Sequence, residues 1–376
     1  MNKDLIYFDN NATTSLDKEV FAALSQIYSQ PLNASSIHKF GNIAQKYVKN
    51  AKENISKFLF ADNYEIIFTS GATESNNMAL RGFKDYEIIT SAIEHSSILQ
   101  LAQKNKHHII DVDNDGVIKI EQLEDKLKNI GHGNFLVSIM IAHNETGVIQ
   151  PIAQIAKLVH QYGGLIHSDI TQGVGKIEIN IEKLNIDLAS FSAHKINGPQ
   201  GIGALLLRKS LEINNLIYGG SQIDEKRPGT LNIAGVVGMG KAFERLQLNI
   251  LSKNNDILQL RDYLEKKMVE IAKDNVVIFG KNAQRLPNTS FFATKNIDNQ
   301  TLLMIMDLEN IAISSGSACS AGVNKISSSL KAMQIDDKLA KCAVRISLGF
   351  NNNKEQIDKF LQIWQSLYLK KNNKIN

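Results

Sequence analysis

Ser190-Phe191-Ser192-Ala193-His194-Lys195-Ile196-Asn197-Gly198-Pro199 is the stretch on which the reading of this chain turns. A β-prone run, Ile186 to Phe191, brings two hydroxyls, an imidazole and an amine to one place. The turn formers Asn197-Gly198-Pro199 follow, and a second apolar run, Gly203 to Leu207, leaves. Lys195 therefore stands at a strand end beside a loop, where enzymes put reactive groups. Taken alone, a lysine there is most often a solvated surface residue. The segments around it decide between the two.

Working outward, strands and helices alternate. Glu65 to Phe68 reads as a strand, and Thr69-Ser70-Gly71-Ala72-Thr73-Glu74 turns from it into a helix. Glu87 to Thr90 is a strand ending near His95, and Leu165 to His167 is one ending at Asp169. Phe135 to Ile141 is a continuous apolar run, as in buried parallel strands. The loop Asn144-Glu145-Thr146-Gly147 comes next, and Pro151 suits the first turn of the following helix. This alternation predicts an α/β fold with a mainly parallel, doubly wound sheet. At the N-terminal end, Tyr7 to Thr14 is a short strand running into an Asx-rich turn. Val20, Phe21, Leu24, Ile27 and Tyr28 then recur at helical spacing, as do Ala44, Tyr47, Val48, Ala51, Ile55 and Phe58. The pattern shifts near residue 250. A helix marked by Leu258, Leu260, Leu264, Met268 and Ile271 leads into Val276 to Phe279, Ser290 to Ala293 and Val344 to Leu348, then a last helix from Lys354 to Leu369. The expected division is a large domain over residues 14–250 and a smaller α/β domain from 1–13 with 251–376.

Composition narrows the class. The 376 residues exceed what one core usually serves. With 43% hydrophobic and 21% charged residues, the chain reads as soluble and globular. A net charge of +4, scattered along the chain, argues against nucleic-acid binding. No apolar run approaches the roughly 18 residues of a membrane helix, and Met1-Asn2-Lys3-Asp4 has no signal-peptide pattern. Cys319 and Cys342 lie far apart without CxxC spacing, so neither a disulfide scaffold nor a zinc site is expected. A reducing cytoplasm fits.

Several residues could carry chemistry. The Thr69 to Thr73 turn offers free N–H groups and a positive helix end to a phosphate, unless Ser70 or Thr73 simply caps the helix. Asp169, at the carboxyl end of a strand, could hold a pyridine nitrogen protonated; a helix cap is the ordinary alternative. Gln172 lies on the same turn and could bond a ring oxygen. His95 could stack on a cofactor and move protons near neutral pH, or be a hydrogen-bonded loop histidine. Ser192 and His194 flank Lys195 and could donate to phosphate oxygens or cap the strand end. Cys319 lies in Ser314-Ser315-Gly316-Ser317-Ala318-Cys319-Ser320-Ala321-Gly322, where small neighbours favour an accessible, nucleophilic thiol. Cys342 reads as structural. Arg345 interrupts an apolar strand and needs an anion, either a substrate carboxylate or an internal partner. Together these supply what a lysine-bound pyridoxal phosphate requires: an acid for the ring nitrogen, a platform for the ring and a cup for the phosphate.

Set in order, these residues resemble the cysteine desulfurases of the NifS/IscS type, in the class V aminotransferase family of fold type I. The resemblance runs through Asp9 to Thr14, Thr69 to Asn76, Glu94-His95, Asn144 to Gly147, Asp169 to Gln172, Ser190 to Gly203, Arg227-Pro228-Gly229-Thr230, Ser314 to Ser320 and Val344 to Gly349. It implies a mainly parallel seven-stranded sheet in a large domain plus a smaller α/β domain. It also implies a homodimer that converts L-cysteine to L-alanine with pyridoxal 5'-phosphate. Lys195 would carry the cofactor, His95 stack on it, Asp169 pair its ring nitrogen and Gln172 its ring oxygen. Ala72, Thr73, Ser192 and His194 would hold the phosphate, with Thr230 entering from a second subunit. Asn144, also near the cofactor, and Arg345 would hold the substrate carboxylate. Cys319 would take the sulfur as a persulfide and pass it to an iron-sulfur scaffold or a tRNA-thiolation protein. A selenocysteine lyase would use the same parts. Where many relatives carry Gln-Glu-Arg-Gly, this chain has Gln222-Ile223-Asp224-Glu225, losing a basic residue and a glycine near the expected dimer rim.

Overall fold

The computed structural model describes residues 5–102, 107–220, 225–316 and 326–372. Its strands are β1 (Ile6–Tyr7), β2 (Tyr64–Thr69), β3 (Glu87–Ser91), β4 (His107–Ile110), β5 (Phe135–Ser138), β6 (Leu165–Asp169), β7 (Leu188–Ser192), β8 (Gly203–Arg208), β9 (Val276–Ile278), β10 (Thr289–Thr294), β11 (Ile311–Ala312) and β12 (Ala343–Ser347). Seven of them form one sheet in the order β2-β8-β7-β6-β5-β3-β4. Its pairs are parallel except those of β8, which runs against both β2 and β7.

The apolar runs of these strands follow from burial on both faces. Side chains alternate across a strand, so one face takes Ile66, Phe68, Ile89, Val137, Ala189, Phe191 and Leu206. The other takes Ile67, Ile88, Leu136, Leu188, Leu205 and Leu207. On the first face lie the Lys18–Tyr28 and Lys39–Leu59 helices, through Val20, Leu24, Ile27, Ala44, Val48 and Ile55. The second is covered by the Ala72–Arg81 helix through Met78, Ala79 and Leu80. Phe21 and Tyr28, which share the apolar spacing of the first helix, stay 61% and 73% exposed. They sit one flank away from the Val20–Leu24–Ile27 stripe.

A second core gathers Ile6, Phe8, Ile257, Leu264, Phe292, Val344, Phe360 and Trp364. It packs on the antiparallel sheet β12-β10-β9, and β1 joins this side by pairing in parallel with β11. The helix expected near Leu258 begins earlier. One 40-residue helix, Ile233–Ala272, runs about 60 Å and enters both cores. Its early turns lack a continuous apolar stripe because Gly238 and Gly240 lie at helix contacts; a Cβ on Gly240 would stand 2.7 Å from Ala51 Cα. The expected Phe135 to Ile141 strand is shorter, ending at Ser138. Beyond it, Ile139 and Ile141 still donate N–H to His167 and Asp169 carbonyls, which keeps that run buried beside β6.

Candidate active site

The parallel strands of the large sheet deliver functional groups to their carboxyl ends, the usual ligand edge of an open α/β sheet. β6 ends on Asp169 and β7 on Ser192, followed by the Ala193–Lys195 3-10 turn. β3 ends four residues before His95. β2 runs through Thr69 into the helix that starts at Ala72.

Lys195 Nζ donates to the Asn11 carbonyl at 2.5 Å and the Ala12 carbonyl at 2.6 Å. The N-terminal turn is itself tied to the lysine segment, since Thr14 N donates to the His194 carbonyl. Asp169 is buried. Its Oδ1 accepts Thr171 N at 3.0 Å and its Oδ2 accepts Asn76 Nδ2 at 2.8 Å. Asn76 also donates to Ser97 Oγ at 2.9 Å, and Ser97 Oγ meets His95 Nδ1 at 2.8 Å. Asn76 thus holds the carboxylate and the histidine turn in one network. Burial lowers the His95 pKa; Asp169 opposes this and Lys195 adds to it. Because Nδ1 accepts the Ser97 N–H at 3.2 Å, the neutral ring carries its proton on Nε2. Gln172 Nε2 donates to the Asn11 carbonyl at 3.0 Å, while its Oε1 accepts Lys176 Nζ at 2.6 Å. Burial, then Lys195 and Arg345, pull Lys176 well below the usual lysine range.

The start of the Ala72–Arg81 helix has the features of an anion site. Its N-cap, Gly71, provides no side-chain cap, and first-turn N–H groups such as those of Ala72 and Thr73 have no partner within a helix, which leaves them for an anion. Ser192 Oγ lies 3.7 Å from where a Cβ on Gly71 would stand. Buried Ser168 Oγ and Thr171 Oγ1, beside Asp169, find no hydrogen-bond partner among the described residues. An uncapped helix end, an acid at a strand terminus, a lysine and a flat histidine suit pyridoxal phosphate. The His194 ring meets Thr13 Oγ1 at 3.1 Å through Nδ1, and its pKa is lowered to about 4 by burial and then Lys195. Thr230 is exposed, in a loop anchored by Arg227 Nε donating to Glu74 Oε1 at 2.9 Å.

Arg345 meets an internal anion. Its Nη2 donates to Asp9 Oδ1 at 2.5 Å and its Nη1 to the Asn144 carbonyl at 3.0 Å. Arg345 is 1% exposed, and its Nε finds no partner among the described residues. Cys342 is buried, its Sγ contacts the Lys338 carbonyl at 3.4 Å, and burial pushes the thiol up. Cys319 lies outside the described residues, as do Gln222, Ile223 and Asp224. Sequence reasoning assigned no role to Asn11, Asn76, Glu94 or Lys176. Glu94 is buried under the site; its carboxyl takes Ser91 Oγ–H at 2.6 Å and is pushed up to about 8, mainly by burial. The signal available for it was its place immediately before His95.

Known proteins align with this chain along nearly its whole length. The aminotransferase class-V family model matches residues 6–360. A cysteine desulfurase IscS of Dictyoglomus turgidum is 38% identical over 374 residues, covering 96% of this chain and 94% of its own length. A cysteine desulfurase of Sinorhizobium fredii is 38% identical over 372 residues, 95% of each. A NifS-like protein from Rickettsia africae, at 36% identity, superposes with a TM-score of 0.91 over 97% of this chain and 99% of that one. Among the described residues, no helix is long and apolar enough to cross a membrane. Such relatives imply dependence on pyridoxal phosphate. The chain belongs to the class-V aminotransferase family, in its NifS/IscS-type cysteine desulfurase branch.

Proposed function

We propose that this chain is a pyridoxal phosphate-dependent cysteine desulfurase. The observation that carries this reading is the convergence of Lys195, His95, Asp169 and the uncapped Ala72–Arg81 helix at one sheet edge. When bound, the cofactor supplies an electron sink that loosens bonds at the substrate's carbons. Lys195 carries it covalently and moves protons. Asp169, oriented by Asn76 and Thr171 N, keeps the ring nitrogen protonated. His95, held neutral by burial, stacks on the ring and shuttles a proton. Gln172, steadied by Lys176, turns its amide to the ring oxygen. Ala72 and Thr73 N–H groups, Ser192, His194 and Thr230 of the partner subunit hold the phosphate.

Asn144 and Arg345 orient the substrate carboxylate. The partnerless Arg345 Nε supports this role beside the Asp9 ion pair. Cys319 Sγ, as the thiolate, attacks the sulfur of L-cysteine: a sulfur–sulfur bond forms, the carbon–sulfur bond breaks with its electron pair left on carbon, and a proton moved there by Lys195 or His95 completes the methyl group of the departing L-alanine. The persulfide then goes to an iron-sulfur scaffold or another sulfur acceptor, a chemistry that suits a reducing cytoplasm. A homodimer is supported by exposed Phe21, Tyr28 and Ile37, the last 98% exposed. We divide the chain into a large domain at 14–250 and a small one at 1–13 with 251–376, each with its own apolar core. The test is to mix the holoenzyme with L-cysteine and measure alanine. The parent should release it, whereas Cys319→Ala should keep the cofactor and release none. Alanine from Cys319→Ala at the parental rate would sink the nucleophile and favour a selenocysteine lyase.

A further inference from the structure

Lys176 is a cation surrounded by neutral acceptors and other cations. Its backbone is pinned by the long helix, where Asn254 Nδ2 donates to the Lys176 carbonyl at 3.0 Å. Its Nζ donates to Gln172 Oε1 at 2.6 Å and to Asn11 Oδ1 at 3.2 Å, both neutral oxygens. Asn11 Oδ1 also accepts Asn288 Nδ2 at 3.0 Å, which fixes that oxygen from the residue before β10. The charged groups that act on Nζ are Lys195, from the 3-10 turn after β7, and Arg345, from β12, and both are positive. Arg345 has Asp9 as its anion; among the described residues Lys176 has none. Burial pulls its pKa down, and the two cations add to this. An ammonium so placed keeps its charge at least cost when an anion joins it. Gln172 is 7% exposed, and the direction of its amide is fixed twice. Its Oε1 faces the Lys176 ammonium, which can only donate, and its Nε2 donates to the Asn11 carbonyl at 3.0 Å. Turned over, the amide would set donor against donor at 2.6 Å and acceptor against acceptor at 3.0 Å. The second N–H of Nε2 finds no acceptor among the described residues.

We propose that Lys176 is a positioning residue for the cofactor's ring oxygen: through Gln172 Oε1 it holds that amide with its remaining N–H for the ring oxygen, and it adds on that side a positive charge matched to the oxygen's negative one. This rests on the reading of Gln172 as the partner of the ring oxygen of pyridoxal phosphate. The lysine-bound cofactor shares one proton between Lys195 Nζ and that oxygen, and its colour changes when the proton leaves. Stabilising the oxygen's negative charge makes the proton easier to lose. Lys176 and Gln172 therefore both lower the pH at which the colour changes, and removing Lys176 raises it.

The test is a pH titration of cofactor absorbance, without substrate, in holoenzymes of the parent, Lys176→Met, Lys176→Gln, Lys176→Arg, Gln172→Leu and the Gln172→Leu, Lys176→Met double variant. Lys176→Met should move the midpoint up by about one pH unit, a tenfold change in proton affinity. Lys176→Gln keeps a donor but loses the charge, and should move it the same way by about half as much. Lys176→Arg keeps both and should stay within about 0.3 unit of the parent. In the Gln172→Leu background, Lys176→Met should move the midpoint less than about half as far, since the amide it holds is gone. A parental midpoint in Lys176→Met overturns the proposal, and if that variant does not fold, a parental midpoint in Lys176→Gln does so. An equal shift with and without Gln172 also overturns it, because Lys176 would then not act through the amide. A parent that binds no cofactor brings down the proposed function and this inference together; a yellow parent whose midpoint ignores Lys176 brings down this inference alone.

Discussion

Replacing His143 by Gln should flatten the acid dependence of stability by an amount that can be worked out beforehand. The imidazole is 1% exposed. Its Nδ1 accepts a backbone N–H and its Nε2–H is taken by Ser329, so the folded protein has no place for a second proton. Burial, with Arg345 adding, lowers its pKa from 6.5 to about 3. In the unfolded chain the residue titrates near 6.5. Between these values the unfolded state binds a proton that the folded state refuses, so the stabilising contribution present above 6.5 is lost as pH falls. At pH 5 this amounts to RT ln(1 + 10^1.5), about 2 kcal/mol, against about 0.2 kcal/mol at pH 7. Urea titrations of parent and variant at both pH values give the difference directly. Groups that titrate the other way, Glu94 and Glu145, are present in both proteins and largely cancel. The parent should lose about 2 kcal/mol more than His143→Gln on going from pH 7 to pH 5. Equal losses would refute a neutral, buried His143.

Three further outcomes are expected. The parent should be yellow and borohydride should fix the cofactor to Lys195; Lys195→Ala should lose this reducible link, and a peptide map showing another lysine would overturn the assignment. Inactive Lys195→Ala and Thr230→Ala subunits should regain part of the activity when mixed, because hybrid dimers contain one intact shared site; a fully active monomer in sedimentation would contradict this. Asn76→Leu removes the bond to Asp169 Oδ2 at 2.8 Å, so cofactor affinity measured by equilibrium dialysis should weaken about tenfold, and unchanged affinity would show that Asn76 does not set the carboxylate.

Much of the fold was legible because buried strands leave a strong mark. Ile66-Ile67-Phe68 and Leu205-Leu206-Leu207 are apolar at every position because each face meets a different cluster. β4 left no such mark: it is an edge strand carrying two histidines, with Ile109 48% exposed and Ile110 buried. Lys195, Asp169 and His95 could be singled out because each lies at or just after the end of a strand, a local signal. The network that orients them could not. Asn76 reaches Asp169 across 93 residues and Asn11 reaches Thr289 across 278, and nothing in either local sequence points to its partner. The two meanings of Arg345 could not be separated either, since Asp9 lies 336 residues away and becomes its partner only when the turn after β1 bridges to Ser347 at the end of β12.

The long Ile233–Ala272 helix behaves as a ruler. Met239, Phe243 and Leu246 are gripped by the core beneath Lys195, while Ile257, Leu264 and Met268 are gripped by the core that carries Arg345. One residue inserted between these grips would turn the far half by about 100° and advance it by about 1.5 Å. No side chain of the site would have changed. The amine and the guanidinium would nevertheless stand out of register, and a substrate spanning both could be held by one or the other. The distance between the two halves of the site is thus written in the count of residues along a helix that touches neither reacting atom.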